Sequence, residues 1–181
     1  VFTDPPYGIN IVSKNGKVGG DNLAKNGVYA PVAGDGSVDV AIKAFKIIKK
    51  IAARVEIIWG GNYYANALEN SSCWVVWDKK NTGNFADCEL AWTNQKTSVR
   101  LFSHMWNGMI KASEHGEKRV HPTQKPVALA EWCFAEYGAH GELVLDLFLG
   151  SGSTLIAAER LGRVCYGMEL SAAYVDVIIK R

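Results

Sequence analysis

No run of apolar residues in this 181-residue chain reaches the roughly 20 positions that a membrane-spanning helix needs, so no transmembrane segment is expected. Cysteine is sparse: Cys73, Cys88, Cys133 and Cys165 stand far apart, with no Cys-x-x-Cys pair and no nearby histidine. That spacing argues against disulfide frameworks and structural metal sites, predicts no bound metal, and fits a reducing, cytoplasmic setting. A strong charge of one sign is also missing, because 20 Lys and Arg face 18 Asp and Glu, a formal net charge of +2. The sum carries no evidence for a nucleic-acid partner, and only a local patch could supply it. What is present is a 48% hydrophobic, 10% aromatic composition, enough to bury the core of one compact domain.

The most distinctive stretch is Asp4-Pro5-Pro6-Tyr7, which follows Val1, Phe2 and Thr3. Two consecutive prolines fix φ at both positions and keep the residue before each extended, so the chain leaves a short strand as a stiff, projecting turn. The turn presents fixed carbonyls, a carboxylate on one side and an aromatic ring on the other. That combination suits a flat, amino-bearing heterocycle, gripped by hydrogen bonds and stacking. Plain structure is the competing reading, with Tyr7 packed on the core and Asp4 capping a backbone N–H.

Towards the other end, Val144-Leu145-Asp146-Leu147-Phe148 reads as a buried strand, and Leu149-Gly150-Ser151-Gly152-Ser153-Thr154 as a tight turn feeding a helix. Glycines let the backbone approach a ligand closely, and a helix start offers unpaired N–H groups. No Lys follows Gly152 and a third glycine is absent, which excludes a P-loop and the full dinucleotide fingerprint. The next strand, 164–168, ends in Glu169, an acidic residue placed to hold the two hydroxyls of a ribose.

Together these residues resemble the amino-group DNA methyltransferases, which methylate N6 of adenine or N4 of cytosine. Asp4-Pro5-Pro6-Tyr7 matches their catalytic motif, Phe148-Leu149-Gly150-Ser151-Gly152 their cofactor loop, and His121-Pro122-Thr123-Gln124-Lys125-Pro126 the segment leading into that loop. Catalytic motif first and cofactor loop last is the permuted order of the β group. The resemblance implies S-adenosyl-L-methionine as cofactor, double-stranded DNA as partner, and an α/β, Rossmann-like methyltransferase fold. It assigns catalysis to Asp4, Pro5, Pro6 and Tyr7, and cofactor binding to Thr123, Lys125, Asp146, Phe148, Gly150, Ser151, Gly152 and Glu169. Thr123 and Lys125 would hold the methionine end, whose carboxylate suits an ammonium and a hydroxyl donor. Tyr7, Trp77 and Asp78 would wall the base pocket.

An Asp at the head of the motif accompanies N6-adenine methylation more often than N4-cytosine methylation. Adenine is therefore expected, in a bacterial or phage-encoded enzyme of the restriction-modification kind. An N4-cytosine enzyme, a similar fold acting on an RNA base or an amide, and a non-catalytic cofactor-binding subunit are the alternatives. In the family, an upstream segment completes the first strand and supplies an acidic contact to the cofactor's adenine, so further chain is expected ahead of Val1.

A single catalytic domain is expected over 1–181. Residues 9–36 are rich in Gly, Asn, Lys and Asp, without periodicity. They read either as a loop closing over substrate, with Lys14, Lys17 and Lys25 near phosphate, or as a solvated insertion. After Ser37 as N-cap, Val40, Ala44, Phe45, Ile47, Ile48 and Ile51 predict an amphipathic helix. A strand at 55–59, a short helix at 63–68, and a hairpin of 73–78 with 88–93, turning through Lys79 to Asn84, follow. Trp74, Trp77 and Trp92 on these strands fit sheet packing at least as well as base stacking.

Residues 99–119 stand where the family often carries a target-recognition region, but they are too few to build one. Specificity would then be relaxed, read elsewhere in the protein, or completed by a second subunit in a homodimer. Helices are predicted from Pro126 to Gly138, after the glycine turn, and from Ser171 to Ile179. Strands alternating with helices predict a mostly parallel sheet with helices on both faces and the antiparallel hairpin at one edge.

Overall fold

Short runs rich in Val, Ile and Trp become strands, and their period of two sorts side chains onto opposite faces of a sheet. The computed structural model describes residues 1–12, 16–18, 28–81, 86–106, 110–139 and 142–181. Strand β1 (Phe2–Thr3) runs parallel to β2 (Ile57–Trp59). Strand β2 is antiparallel to β4 (Cys88–Thr93), which forms the expected hairpin with β3 (Trp74–Asp78). A further strand, β5 (Arg100–Ser103), runs parallel to β3, giving the order β1-β2-β4-β3-β5. Beside β1 lie β6 (Val144–Asp146) and β7 (Cys165–Gly167), a parallel pair.

Among the described residues four α-helices cover the strands: α1 (Asp39–Ile51), α2 (Val127–Tyr137), α3 (Ser153–Arg160) and α4 (Ala172–Lys180). On one face, Ile57 and Trp59 of β2 join Phe2, Val75 and Trp77, and pack with Ala130, Cys133 and Phe134 of α2 and Ala157 and Ala158 of α3. On the other, Ile58 and Trp92 meet Ala41, Phe45 and Ile48 of α1, with the Phe45 ring edge-on to Trp92 at 5.1 Å. Helices on both faces are the consequence of strands whose two faces are both apolar. Among the described residues no helix is long and apolar enough to cross a membrane.

Three local expectations change. The hairpin is not outermost, because β5, from the stretch read as a recognition region, pairs with β3 and becomes the edge. Helix α1 buries a narrower stripe than its sequence suggests: Ala41, Ala44, Phe45 and Ile48 are inside, whereas Ile47 and Ile51 are 53% and 47% exposed. The short helix at 63–68 is instead a pair of 3-10 turns, Gly61–Tyr63 and Ala65–Ala67, because buried Tyr64 donates its hydroxyl to the Trp59 carbonyl at 3.1 Å and pins the chain between them. Lys14, Lys25, Asn84 and residues 107–109 lie outside the described residues.

One side chain joins the two sheets. Thr3 is fully buried, donates its hydroxyl to Asp146 Oδ1 at 2.7 Å and accepts the Leu147 N–H at 3.2 Å. Thr3→Val keeps the shape but leaves that N–H and the carboxylate short of a partner, so a loss of about 1–3 kcal/mol is expected in urea unfolding. Burial raises the Asp146 pKa and the Thr3 hydroxyl opposes that rise, so the loss should grow as pH rises through the Asp146 midpoint and the anion must be held.

Candidate active site

Strands β1 and β6 end on the same side of the structure, which brings Asp4-Pro5-Pro6-Tyr7 and the glycine turn together from opposite ends of the chain. Between them is a cavity of about 890 Å³. Asp4, Pro5, Pro6 and Tyr7 line one wall; Thr123, Lys125, Asp146, Phe148, Gly150, Ser151 and Glu169 line the other. The volume suits a cofactor with part of a second ligand. Ile47 of α1, exposed at the surface of the helix, also faces this cavity.

Asp4 is the electrostatic centre. Its Oδ2 pairs with the Lys125 ammonium, whereas Oδ1 is sealed from solvent and has no hydrogen-bond partner among the described residues. Burial pushes the Asp4 carboxyl up to about 6, against the pull of Lys125. Lys125 also lies 3.2 Å from Glu89 Oε2, and Glu89 Oε1 pairs with Lys79. Burial works to raise the Glu89 carboxyl as well, but Lys125 and Lys79 outweigh it and hold it down to about 2. Burial disfavours the Lys125 cation, yet Asp4 and Glu89 together raise its pKa. Its ammonium is therefore committed to two carboxylates, a different engagement from the methionine carboxylate expected for it.

The glycine turn is built from backbone and from Glu169. Gly152 closes it by donating its N–H to the Leu149 carbonyl at 2.8 Å and caps α3 at φ +80, with Ile178 of α4 packed where a side chain would begin. Glu169 accepts the Gly150 N–H at 2.8 Å through Oε2 and the Ser171 N–H at 2.8 Å through Oε1, which fixes the carboxylate at the cavity rim. Ser153 donates its hydroxyl to the Lys125 carbonyl at 2.7 Å, tying the turn to the 121–126 segment. His121 sits beneath Gly150, edge-on to Tyr174 at 4.4 Å. Burial, with Arg119 and Lys125 nearby, pushes its pKa down to about 4, so the ring is neutral at pH 7. Its Nδ1 lies 3.1 Å from the Thr123 hydroxyl and accepts the Thr123 N–H at 3.3 Å.

Tyr7 stacks on Tyr63, with centroids 4.6 Å apart and planes inclined by 12°. Behind Tyr7 lies Gly60, at φ +74, where a Cβ would fall inside the Tyr7 ring. Asp35 then fixes the chain leaving the motif: Oδ1 accepts the Gly8 and Ile9 N–H groups at 3.0 and 3.2 Å, and Oδ2 accepts that of Ile11 at 2.8 Å.

Trp77 and Asp78 are not brought to the cavity. The Trp77 ring is buried in the core and donates its N–H to the His104 carbonyl at 3.0 Å. Asp78 turns outward, accepting the Lys80 N–H at 2.8 Å and the Ser103 hydroxyl at 2.9 Å. The hairpin alternation places Trp77 against the core helices, so its aromatic area serves packing. Sequence reasoning missed Glu89, Tyr63 and Asp35. Only Glu89 carried a signal, as the one charged residue within β4. Among the described residues no cluster of His, Cys, Asp and Glu has the arrangement of a metal site.

The chain is 31% identical over 128 residues to the type II methyltransferase M.HinfI of Haemophilus influenzae, covering 68% of this chain and 34% of that protein. It is 35% identical over 122 residues to the type II methyltransferase M2.DpnII of Streptococcus pneumoniae, covering 66% of this chain and 43% of the relative. The chain thus spans less than half the length of either relative. The crystal structure of the M1.HpyAVI–SAM complex matches with a TM-score of 0.56 at 22% identity, over 78% of this chain and 83% of that one. The PvuII DNA methyltransferase, described as cytosine-N4-specific, matches with a TM-score of 0.58 at 16% identity, over 76% and 69%. At these identities the structural matches establish the fold, an α/β methyltransferase fold. The profile of the DNA methylase family N6_N4_Mtase matches residues 1–181, and this chain belongs to that family.

Proposed function

We propose that this chain transfers a methyl group from S-adenosyl-L-methionine to the exocyclic N6 amino group of an adenine rotated out of double-stranded DNA. The observation that carries the proposal is Asp4 on the cavity wall: Lys125 holds its Oδ2, and its Oδ1 has no partner among the described residues. An unpaired buried acceptor is costly unless a ligand donor completes it.

An exocyclic amino group is a weak nucleophile because its lone pair is delocalised into the ring. Asp4 Oδ1 accepts one N–H and the Pro5 carbonyl, fixed by the following proline ring, accepts the other, in the pyramidal geometry that frees the lone pair. Such contacts strengthen as the reaction proceeds and lower the barrier by differential binding. S-Adenosyl-L-methionine, when bound, supplies an electrophilic methyl group on a sulfonium. Tyr7, braced by Tyr63, offers its ring to the extruded base, because an amino group held in a base pair cannot be approached in line. Asp4, with its pKa pushed up to about 6, is basic enough to take the proton that nitrogen must lose. The methyl would pass directly to nitrogen as its bond to sulfur breaks, sulfur keeping that electron pair as a neutral thioether, and no protein nucleophile is required.

For the cofactor, the Gly150 turn offers close backbone approach and Glu169 a carboxylate held at the rim by two N–H groups, with lone pairs left for ribose hydroxyls. Phe148 on the same wall provides an apolar surface. The same pair of acceptors would serve N4 of cytosine, and the Asp at the head of the motif is what favours adenine.

Incubating the full-length protein with methyl-labelled S-adenosylmethionine and unmethylated double-stranded DNA, then digesting to nucleosides, tests the reading. Label in N6-methyladenine is expected. Label in N4-methylcytosine would keep the mechanism and change the base, and absence of label in DNA despite cofactor binding would reject the proposal.

A further inference from the structure

Methyl transfer as proposed uses Asp4 and leaves the charges behind it without a role. Those charges form an ordered row. Asp4 Oδ2 pairs with Lys125, Lys125 lies 3.2 Å from Glu89 Oε2, and Glu89 Oε1 pairs with Lys79. Lys79 stands at the end of β3, its ammonium 5.1 Å from the centre of the Trp77 ring. Signs alternate from the cavity wall to the hairpin, negative, positive, negative, positive.

We propose that Glu89, backed by Lys79, is a positioning residue that shares the Lys125 cation with Asp4 and so keeps Asp4 anchored yet still a strong acceptor. The inference rests on Asp4 as the acceptor of the substrate amino group. With Lys125 to itself, Asp4 would be largely neutralised, and its free oxygen would be a weaker acceptor and a poorer sink for a proton. With no cation at all, a carboxylate in this enclosed place would take up a proton and lose its role. A lysine divided between two carboxylates gives the intermediate condition, and a carboxylate pinned by a second lysine keeps the division fixed. The groups that act on Asp4 are Lys125 ahead of α2, Glu89 on β4 and Asp146 at the end of β6; the hydroxyls of Tyr7 and Tyr64 face its charge as well. Among the described residues only the row through Lys125 offers it a counter-ion.

The row predicts opposite effects from neighbouring links. In Glu89→Gln, Lys125 belongs to Asp4 alone and a nearby negative charge is gone, so the Asp4 midpoint falls by on the order of one pH unit. In Lys79→Met, Glu89 draws Lys125 towards itself and the Asp4 midpoint rises. Carboxyl-carbon NMR of the full chain labelled with ¹³C-aspartate reads both, with the Asp4 signal identified by its loss in Asp4→Asn. Single-turnover methyl transfer by Glu89→Gln should slow by about tenfold, as one unit of acceptor basicity allows, with the dissociation constant for S-adenosylmethionine unchanged within twofold. The acid limb of its kcat/KM profile should move with the NMR midpoint.

Midpoints that stay fixed, or that move in the same direction in both variants, overturn the row as a device for tuning Asp4; general loosening of the fold would move them together. The NMR reading does not need turnover. Should the unaltered protein transfer no methyl to DNA, the assignment of Asp4 as acceptor falls, while the opposed midpoints still decide whether Glu89 shares out the Lys125 charge.

Discussion

Asp4→Ala is expected to reduce single-turnover methyl transfer by on the order of a thousandfold, while the dissociation constant for S-adenosylmethionine changes less than threefold. The residues that line the cofactor wall, from Phe148 to Ser151 and at Glu169, hang on backbone hydrogen bonds that do not pass through Asp4. On the proposed mechanism, what the variant removes is the acceptor that would draw the amino nitrogen out of the plane of its ring. Asp4→Asn, which keeps a carbonyl acceptor but no negative charge, should fall between the two. Equal loss of cofactor binding in Asp4→Ala would reassign the residue to cofactor positioning, and unchanged turnover would remove it from the mechanism.

The same carboxylate sets a pH dependence. Its folded pKa, pushed up to about 6 by burial, means that Asp4 is protonated below that value and anionic above it. A protonated Asp4 cannot accept both an amino hydrogen and, later, a proton, so kcat/KM should rise through a limb near pH 6 and level off above it. His121 does not contribute to that limb, because its pKa, pushed down to about 4, keeps it neutral across the range. In Asp4→Asn the limb should vanish from whatever activity is left.

The second large effect is structural. Gly60 lies at φ +74 with the Tyr7 ring against its Cα, so Gly60→Ala brings both a left-handed strain of about 1–2 kcal/mol and a clash with a packed ring. Overpacking of this kind costs about 1–3 kcal/mol, and together the two correspond to a fall in Tm of roughly 4–20 °C in a chain of this size. Because the ring must shift, turnover should fall far more than cofactor affinity. A double-mutant cycle with Tyr7→Ala separates the causes: once the ring is gone, Gly60→Ala should cost only the backbone strain. Equal losses with and without Tyr7 would show that the ring is not the constraint.

The two motifs, the family and the α/β class were legible in the chain because each is a local code. Two prolines dictate a stiff exit from β1 whatever surrounds them, glycines dictate a tight turn before α3, and short apolar runs between turn residues dictate β2, β3 and β4. Hairpin partners and the helices after Pro126 and Ser171 followed for the same reason, within a residue or two of their ends. The additional edge strand did not follow, since Arg100–Ser103 gains its order only by pairing with β3. Nor did the narrowing of the buried stripe on α1, which depends on where the helix meets Trp92 and Ile58.

At the site, residue types were readable and their engagements were not. Trp77 and Asp78 have the chemistry of a base pocket, yet strand pairing turns one into the core and the other to Lys80 and Ser103. Lys125 has the chemistry to hold a carboxylate of the cofactor, and the fold gives it two carboxylates of the protein. Asp35 and Tyr63 acquire roles only because loops from elsewhere in sequence deliver Gly8 and Tyr7 to them. Which groups stand at the two motifs can be read from the chain alone, because proline, glycine and apolar spacing act over a few residues. How charge is shared among Asp4, Lys125, Glu89 and Lys79 belongs to the folded molecule, because that sharing depends on ångström distances between β1, β4 and the segment before α2, which local sequence does not encode.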